Sequence, residues 1–142
     1  MREYLFRGKT YPKEQGVAFN NIWVEGDLVI SRDKYYIHPK ANAFEVNNQL
    51  SKLVIMHEVI PETVGEYTGF KDKNGKKVFE GDVVEFLDID KFKWKGVVVY
   101  QKEYALYLVK SNSGWEFAFY DIFEERVEVI GNIHDKKELL GE

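Results

Sequence analysis

Three observations predict a mainly β protein. Aromatic residues make up 15% of the 142-residue chain, with nine Tyr and ten Phe, and such side chains suit a half-buried pleated surface. Short apolar or β-branched runs alternate with clusters of Gly, Asn, Asp and Ser, which is the spacing of strands and turns. Asn74-Gly75 stands between two strand-like runs, a strong short-range hairpin signal. A type I′ turn there would need positive φ at both Asn74 and Gly75.

Taken in order, Tyr4 to Arg7 alternates as a strand, and Gly8 to Gly16, with Pro12, reads as a loop. Asn21 to Ile30 reads as a strand in which Gly26-Asp27 marks a bulge or tight bend. Arg32-Asp33-Lys34 turns the chain into Tyr35 to His38, stopped by Pro39. Lys40 to Lys52 is read as irregular. Leu53 to Ile60 is apolar and β-branched, so it reads as a strand that Pro61 ends. Glu80-Gly81-Asp82 separates the Asn74-Gly75 hairpin from the strand Val83 to Leu87. Asp88 to Lys95 reads as a charged loop, Gly96 to Tyr100 and Ala105 to Val109 as strands, and Ser111 to Gly114 as a turn. Trp115, Phe117 and Phe119 then share one strand face. Asp121 to Glu125 fits a single 3₁₀-like turn, and Val127, Val129 and Ile130 a last strand. Asp135 with Glu138 three residues on resembles a capping box opening a terminal helical turn.

From Val64 onward this order favours a small SH3-like β-barrel over residues 61–142, with a 3₁₀ turn before its final strand. Residues 1–60 would form an N-terminal β segment on or beside it. Glu25-Gly26-Asp27-Leu28-Val29 echoes Glu80-Gly81-Asp82-Val83-Val84. The plain reading is a shared strand entry through Gly-Asp; the sharper one is two related β-units.

Composition narrows the function classes. A chain of this length buries roughly 70% of its unfolded surface and needs no staple. It has no cysteine, which excludes disulfides, thiolate metal ligands and a cysteine nucleophile. The net charge of −4 does not by itself suggest nucleic acid, although local patches remain open. Met1 to Arg7 breaks its apolar residues with charges, unlike a signal peptide. No stretch reaches the ~18 apolar residues of a membrane span. A cytoplasmic protein with no membrane partner is expected.

Val64-Gly65-Glu66-Tyr67-Thr68-Gly69-Phe70-Lys71-Asp72-Lys73-Asn74-Gly75-Lys76, followed by Phe79-Glu80-Gly81-Asp82-Val83-Val84, resembles the signature of the YopX-like proteins of phages and prophages. Phe6-Arg7-Gly8-Lys9 with Trp23 to Leu28 resembles the opening of that family, and Val129 to Ile133 its close. Lys40 to Lys52 and Asp88 to Glu125 carry little of the likeness. The resemblance implies a small, β-rich, phage-encoded protein with an SH3-like element. It brings no catalytic residue to this chain.

The residues themselves suggest no reaction. His38, His57 and His134 each stand alone, and a metal site needs three or four convergent ligands. Asp88 and Asp90 would share a side if extended, as a Mg²⁺ or acid–base pair could. They sit among Lys91, Lys93 and Lys95, so solvated loop charge is the preferred reading. Asp121, Glu124 and Glu125 read as surface. No serine elbow or phosphate-binding glycine loop occurs. No enzyme activity, metal or cofactor is expected.

Binding is the remaining class. Lys71, Lys73, Lys76 and Lys77 decorate the Asn74-Gly75 hairpin, and Lys91, Phe92, Lys93, Trp94 and Lys95 alternate charge and ring. Cationic loops with stacking aromatics can grip single strands; the same lysines can simply keep the hairpin soluble. Gly69, Asn74, Gly75, Gly81 and Asp82 are read as serving turn geometry. The expected role is a non-catalytic domain that binds a protein partner or itself, with weak nucleic-acid binding as the alternative.

Overall fold

Short antiparallel strands joined by tight turns account for nearly all the regular structure in the computed structural model. It describes residues 3–12, 21–39, 45–46, 49–50, 56–119, 122 and 126–136. The chain forms two compact units, Glu3–Glu66 and Tyr67–Glu142.

The first unit contains β1 (Phe6–Lys9), β2 (Trp23–Ser31), β3 (Lys34–Pro39) and β6 (His57–Val59), with the start of β7 (Gly65–Lys71). They lie in the order β6-β3-β2-β1-β7, all antiparallel. Between them, β4 (Glu45–Val46) and β5 (Gln49–Leu50) pair with each other. Ile37 and Val59 are fully buried. Thr10 bridges Val59, and the Ile60 N–H donates to the Lys9 carbonyl at 2.8 Å, so the far strand β6 returns to the end of β1. Thr63 secures that return. Its Oγ1 accepts the Lys9 N–H at 2.9 Å and donates to the Ile60 carbonyl.

Two glycines in this unit were misread. Gly8 is not in a loop; it extends β1 opposite Val24, and a Cβ there would lie 2.8 Å from the Val59 side chain. Gly26 marks no bulge. It sits inside β2 in unbroken register with Phe6 and Pro39. A Cβ there would come within 1.9 Å of the His38 carbonyl oxygen. The requirement is close backbone approach, not a bend.

The second unit holds the rest of β7, β8 (Lys77–Phe79), β9 (Asp82–Leu87), β10 (Lys93–Gln101), β11 (Leu106–Ser111), β12 (Glu116–Ala118) and β13 (Val127–Asn132). Strands β9 to β13 form a sheet in the order β12-β11-β10-β9-β13. Strand alternation sorts its residues by face. Val84, Phe86, Val98, Val109 and Val127 pack in one core with Val78 and Phe119, joined by half-buried Trp94 and Phe117. Ring contacts tie it together: Phe70 stacks on Phe119 at 5.1 Å, and Phe117 meets Phe86 at 5.0 Å and Trp94 at 4.8 Å. Among the described residues neither sheet is a closed barrel.

The two Glu-Gly-Asp segments differ. Gly81 has φ 93° in the turn before β9, whereas Gly26 lies mid-strand, so the echo does not correspond to one repeated structure. The Ile122 N–H donates to the Phe119 carbonyl at 3.0 Å, the i to i−3 bond of a 3₁₀ turn. The remainder of that expected turn, Asp121 and Phe123 to Glu125, lies outside the described residues. So do Lys13 to Gly16, Lys40 to Phe44, Asn47, Asn48, Ser51 to Ile55, and Glu138 to Leu140 of the expected terminal helical turn. Just before that segment a separate turn starts at Asn132. Its Oδ1 accepts the His134 and Asp135 N–H groups at 3.0 and 2.9 Å.

Candidate functional site

Three hairpin turns of the second unit are built alike. Between β7 and β8 the Asp72 N–H donates to the Lys76 carbonyl at 2.8 Å and the Gly75 N–H to the Asp72 carbonyl at 3.0 Å. Asp72 Oδ1 accepts the Asn74 and Lys76 N–H groups, each at 2.9 Å. Between β9 and β10 the same four bonds recur. Asp88 N–H donates to Phe92 O, Lys91 N–H to Asp88 O, and Asp88 Oδ1 accepts the Asp90 and Phe92 N–H groups at 2.9 Å. Between β11 and β12 Ser111 replaces the aspartate, its Oγ accepting the Trp115 N–H at 3.0 Å. The fourth residue is left-handed in all three: Gly75 at φ 79°, Lys91 at 65° and Gly114 at 93°.

This is a type I turn closed by a left-handed bulge residue. The expected type I′ turn is therefore corrected: Asn74 has no positive φ. Asp72 decides the matter, because its carboxylate bonds the backbone two residues on, as turn-forming Asp does. The signal was present in the sequence as Asp or Ser three residues before Gly at 72–75 and 111–114.

The second carboxylate oxygen distinguishes the two aspartates. Asp72 Oδ2 accepts the Val129 N–H of β13 at 3.0 Å, and the Lys73 N–H donates to the Val127 carbonyl at 2.8 Å. Lys73 Nζ also meets Glu128 Oε2 at 3.0 Å. Burial pushes the Asp72 carboxyl up, but the Val129, Lys76 and Asn74 N–H groups and the Lys76 charge outweigh it, leaving it below its ordinary value. Asp88 Oδ2 instead accepts the Trp94 indole N–H at 2.9 Å. That bond, opposed by desolvation, acts with the Phe92 and Asp90 N–H groups to hold Asp88 below the ordinary carboxylate value. With both oxygens engaged, Asp88 forms a turn rather than an acid–base pair with Asp90.

The predicted lysine surface divides. Lys73 and Lys93 line one cavity of about 310 Å³ with Arg126, Glu85 and Glu128. Both lysines are ion-paired there, Lys93 to Glu85 at 3.2 Å. Lys95 lies opposite Glu85 in the β9–β10 register. Lys71 and Lys77 face each other across β7 and β8, with Lys77 Nζ 5.9 Å from the Tyr67 ring. Lys76 and Lys91 are exposed on their turns.

The expected charged loop Asp88 to Lys95 is shorter than predicted, because β10 begins at Lys93. Alternation then separates ring from charge. Lys93 and Lys95 fall on one face of the strand and Trp94 on the core face, against Phe117. The interleaved residues therefore do not make a mixed stacking platform.

Sequence reading named Phe92 as a candidate contact but missed the exposed apolar residues Ile89 and Trp115. Ile89 is 80% exposed, Phe92 66% and Trp115 64%. Trp115 meets Trp94 edge-on at 6.3 Å, and Ile89 borders a second cavity of about 310 Å³ with Leu87 and Phe117. The remaining named residues are structural. Gly69, at φ 89°, lies where the β7–β8 register shifts. Gly81 donates its N–H to Val98 O at 2.8 Å, and Asp82, buried, accepts the Phe79 N–H at 2.8 Å. His38 lies 4.0 Å from Asp27. Among the described residues no cluster of three His, Cys, Asp or Glu side chains could hold a metal ion. No helix among them is long and apolar enough to cross a membrane.

The signature region around Asp72 to Asp82 thus supplies a turn, a buried carboxylate and a strand entry. The resemblance extends over most of the chain: a family model described as YopX protein matches residues 17–141. Phe6 to Lys9, also read as family-like, precedes that match. No curated protein matches the chain. The chain belongs to the YopX protein family.

Proposed function

We propose that this protein is a non-catalytic interaction module of phage or prophage origin that works in the bacterial cytoplasm, docking a protein partner or a second copy of itself. We read the second unit as an open SH3-like barrel, supported by the β9–β12 meander, the 3₁₀ bond before β13 and the pairing of β13 with β9. The first unit is its N-terminal β extension.

One observation carries the binding reading. The turns Asp72–Lys76 and Asp88–Phe92 share their local backbone hydrogen bonds, so forming the turn asks nothing different of their second and fifth side chains. The first turn places Lys73 and Lys76 there; the second places Ile89 and Phe92, both largely exposed. Apolar side chains left in water on a turn that forms equally well with lysine mark a surface kept for contact. Trp115 extends it.

The test compares wild type with F92K/W115K by sedimentation over a wide concentration range and by capture from host lysate. A dimer or a captured protein that the double variant loses supports the reading. A monomer at every concentration with no captured protein, or a partner that the variant holds equally well, overturns it.

A second reading, weak single-stranded nucleic-acid binding, rests on Lys71 and Lys77. Like charges directly opposite in a sheet repel, and an anion laid across them would relieve that repulsion. Oligonucleotide titration at low salt tests it. Binding should fall steeply with salt and weaken in K71E/K77E; no binding to wild type eliminates it.

A further inference from the structure

We infer that Asn74-Gly75 is a latent deamidation site that the Asp72 turn holds shut. Asn-Gly is the dipeptide in which backbone attack on the side-chain amide is least hindered. The Gly75 nitrogen, having lost its proton, forms a bond to Asn74 Cγ. The Cγ–Nδ2 bond breaks, ammonia leaves with the proton, and a five-membered succinimide remains. Water then opens the ring at either carbonyl, giving aspartate or isoaspartate.

Access is not what protects the site. Asn74 and Gly75 are exposed, and no neighbouring atom would meet even a Cβ at Gly75. Geometry protects it. The Gly75 N–H, whose proton must leave, is donated to the Asp72 carbonyl at 3.0 Å. As third residue of a type I turn, Asn74 keeps ψ near ~0°, which swings its Cβ away from the Gly75 nitrogen and opposes ring closure. Asp72 Oδ1 fixes that conformation through the Asn74 and Lys76 N–H groups, and Asp72 Oδ2 fixes the turn to Val129. Reaction must therefore pass through a locally opened hairpin. Isoaspartate would lengthen the backbone at the point where Gly75 and Lys76 bond back to Asp72, so opening would become permanent.

The experiment incubates the native protein, the protein unfolded in urea and a peptide spanning 71–77 at neutral pH. Ammonia loss and isoaspartate at Asn74 are read by mass spectrometry. The native chain should react at least about tenfold more slowly than the peptide, and the unfolded chain at the peptide's rate. The D72N variant, checked for retained fold by circular dichroism, should lose much of the protection. Native deamidation as fast as that of the peptide overturns the inference. So does an unfolded chain as slow as the native one, because protection would then lie in the local sequence. If D72N does not fold, the native, unfolded and peptide arms still decide.

Discussion

The turns Asp72–Lys76 and Asp88–Phe92 share their backbone hydrogen bonds and differ in what the spare carboxylate oxygen grips. Asp72 reaches a different strand, fifty-seven positions away, at the Val129 N–H. Asp88 reaches six positions, to its own hairpin's Trp94. One turn is therefore tertiary structure and the other local structure. The outward residues follow suit: the tertiary turn is lysine-rich, and the local one carries Ile89 and Phe92. A turn anchored by its aspartate needs no apolar side chain to fix it, which is why the apolar tip of the second turn supports the proposed contact role.

The sharpest way to break this comparison is to remove the aspartates. Asp72→Ala strands three backbone N–H groups, one of them on β13, and should cost about 2–4 kcal/mol in urea unfolding. Asp88→Ala should cost clearly less, while the Trp94 fluorescence changes as its indole N–H turns to water. Equal losses would show that the local and tertiary distinction is wrong.

Acid should act in the same direction. Both carboxyls lie below their ordinary value in the folded state. Their stabilisation is therefore complete above the unfolded value of about 3.9 and is lost as pH falls through the lower folded value. Unfolding free energy measured against pH should drop in that acidic range, and Asp72→Asn should flatten the drop more than Asp88→Asn.

The fourth turn position gives a smaller, reciprocal pair. Gly75→Lys should destabilise by about 1 kcal/mol, because a side chain is put at φ 79°. Lys91→Gly should stabilise by roughly 0.5 kcal/mol, with Lys91 relieved at φ 65°. Thermal unfolding resolves both. The smallest expected effect is that of I89K/F92K, within about 0.5 kcal/mol of wild type. A large loss would mean that these side chains serve the fold and would remove the support for contact.

Much of the strand order was readable because alternation and turn residues are local. The runs around Val83 to Leu87, Gly96 to Tyr100 and Val127 to Ile130 each contain a strand. What escaped depended on partners distant in sequence. Gly26 looked like a bend because nothing local shows that the His38 carbonyl lies against it. The turn type at Asn74 was misread because the dipeptide was weighed without Asp72. The placement of Lys93 to Lys95 escaped for a different reason. Lys93, Trp94 and Lys95 look like a mixed patch when taken as a loop, but in a strand they point to opposite faces. Trp115 was grouped with Phe117 by periodicity, and both do meet Trp94, but periodicity could not show that one stays largely in water.

The seating of the Asp72 turn on β13 also bears on how the protein behaves in a crowded solution. β13 pairs with β9 on one side, and on the other its Val127 carbonyl and Val129 N–H are taken by Lys73 and Asp72. A border strand with free backbone groups is a template onto which another chain can add. The turn occupies that template with its own backbone and a carboxylate. Asp72 therefore guards against intermolecular strand addition, and its loss should first appear as aggregation on storage, before any change in what the molecule binds.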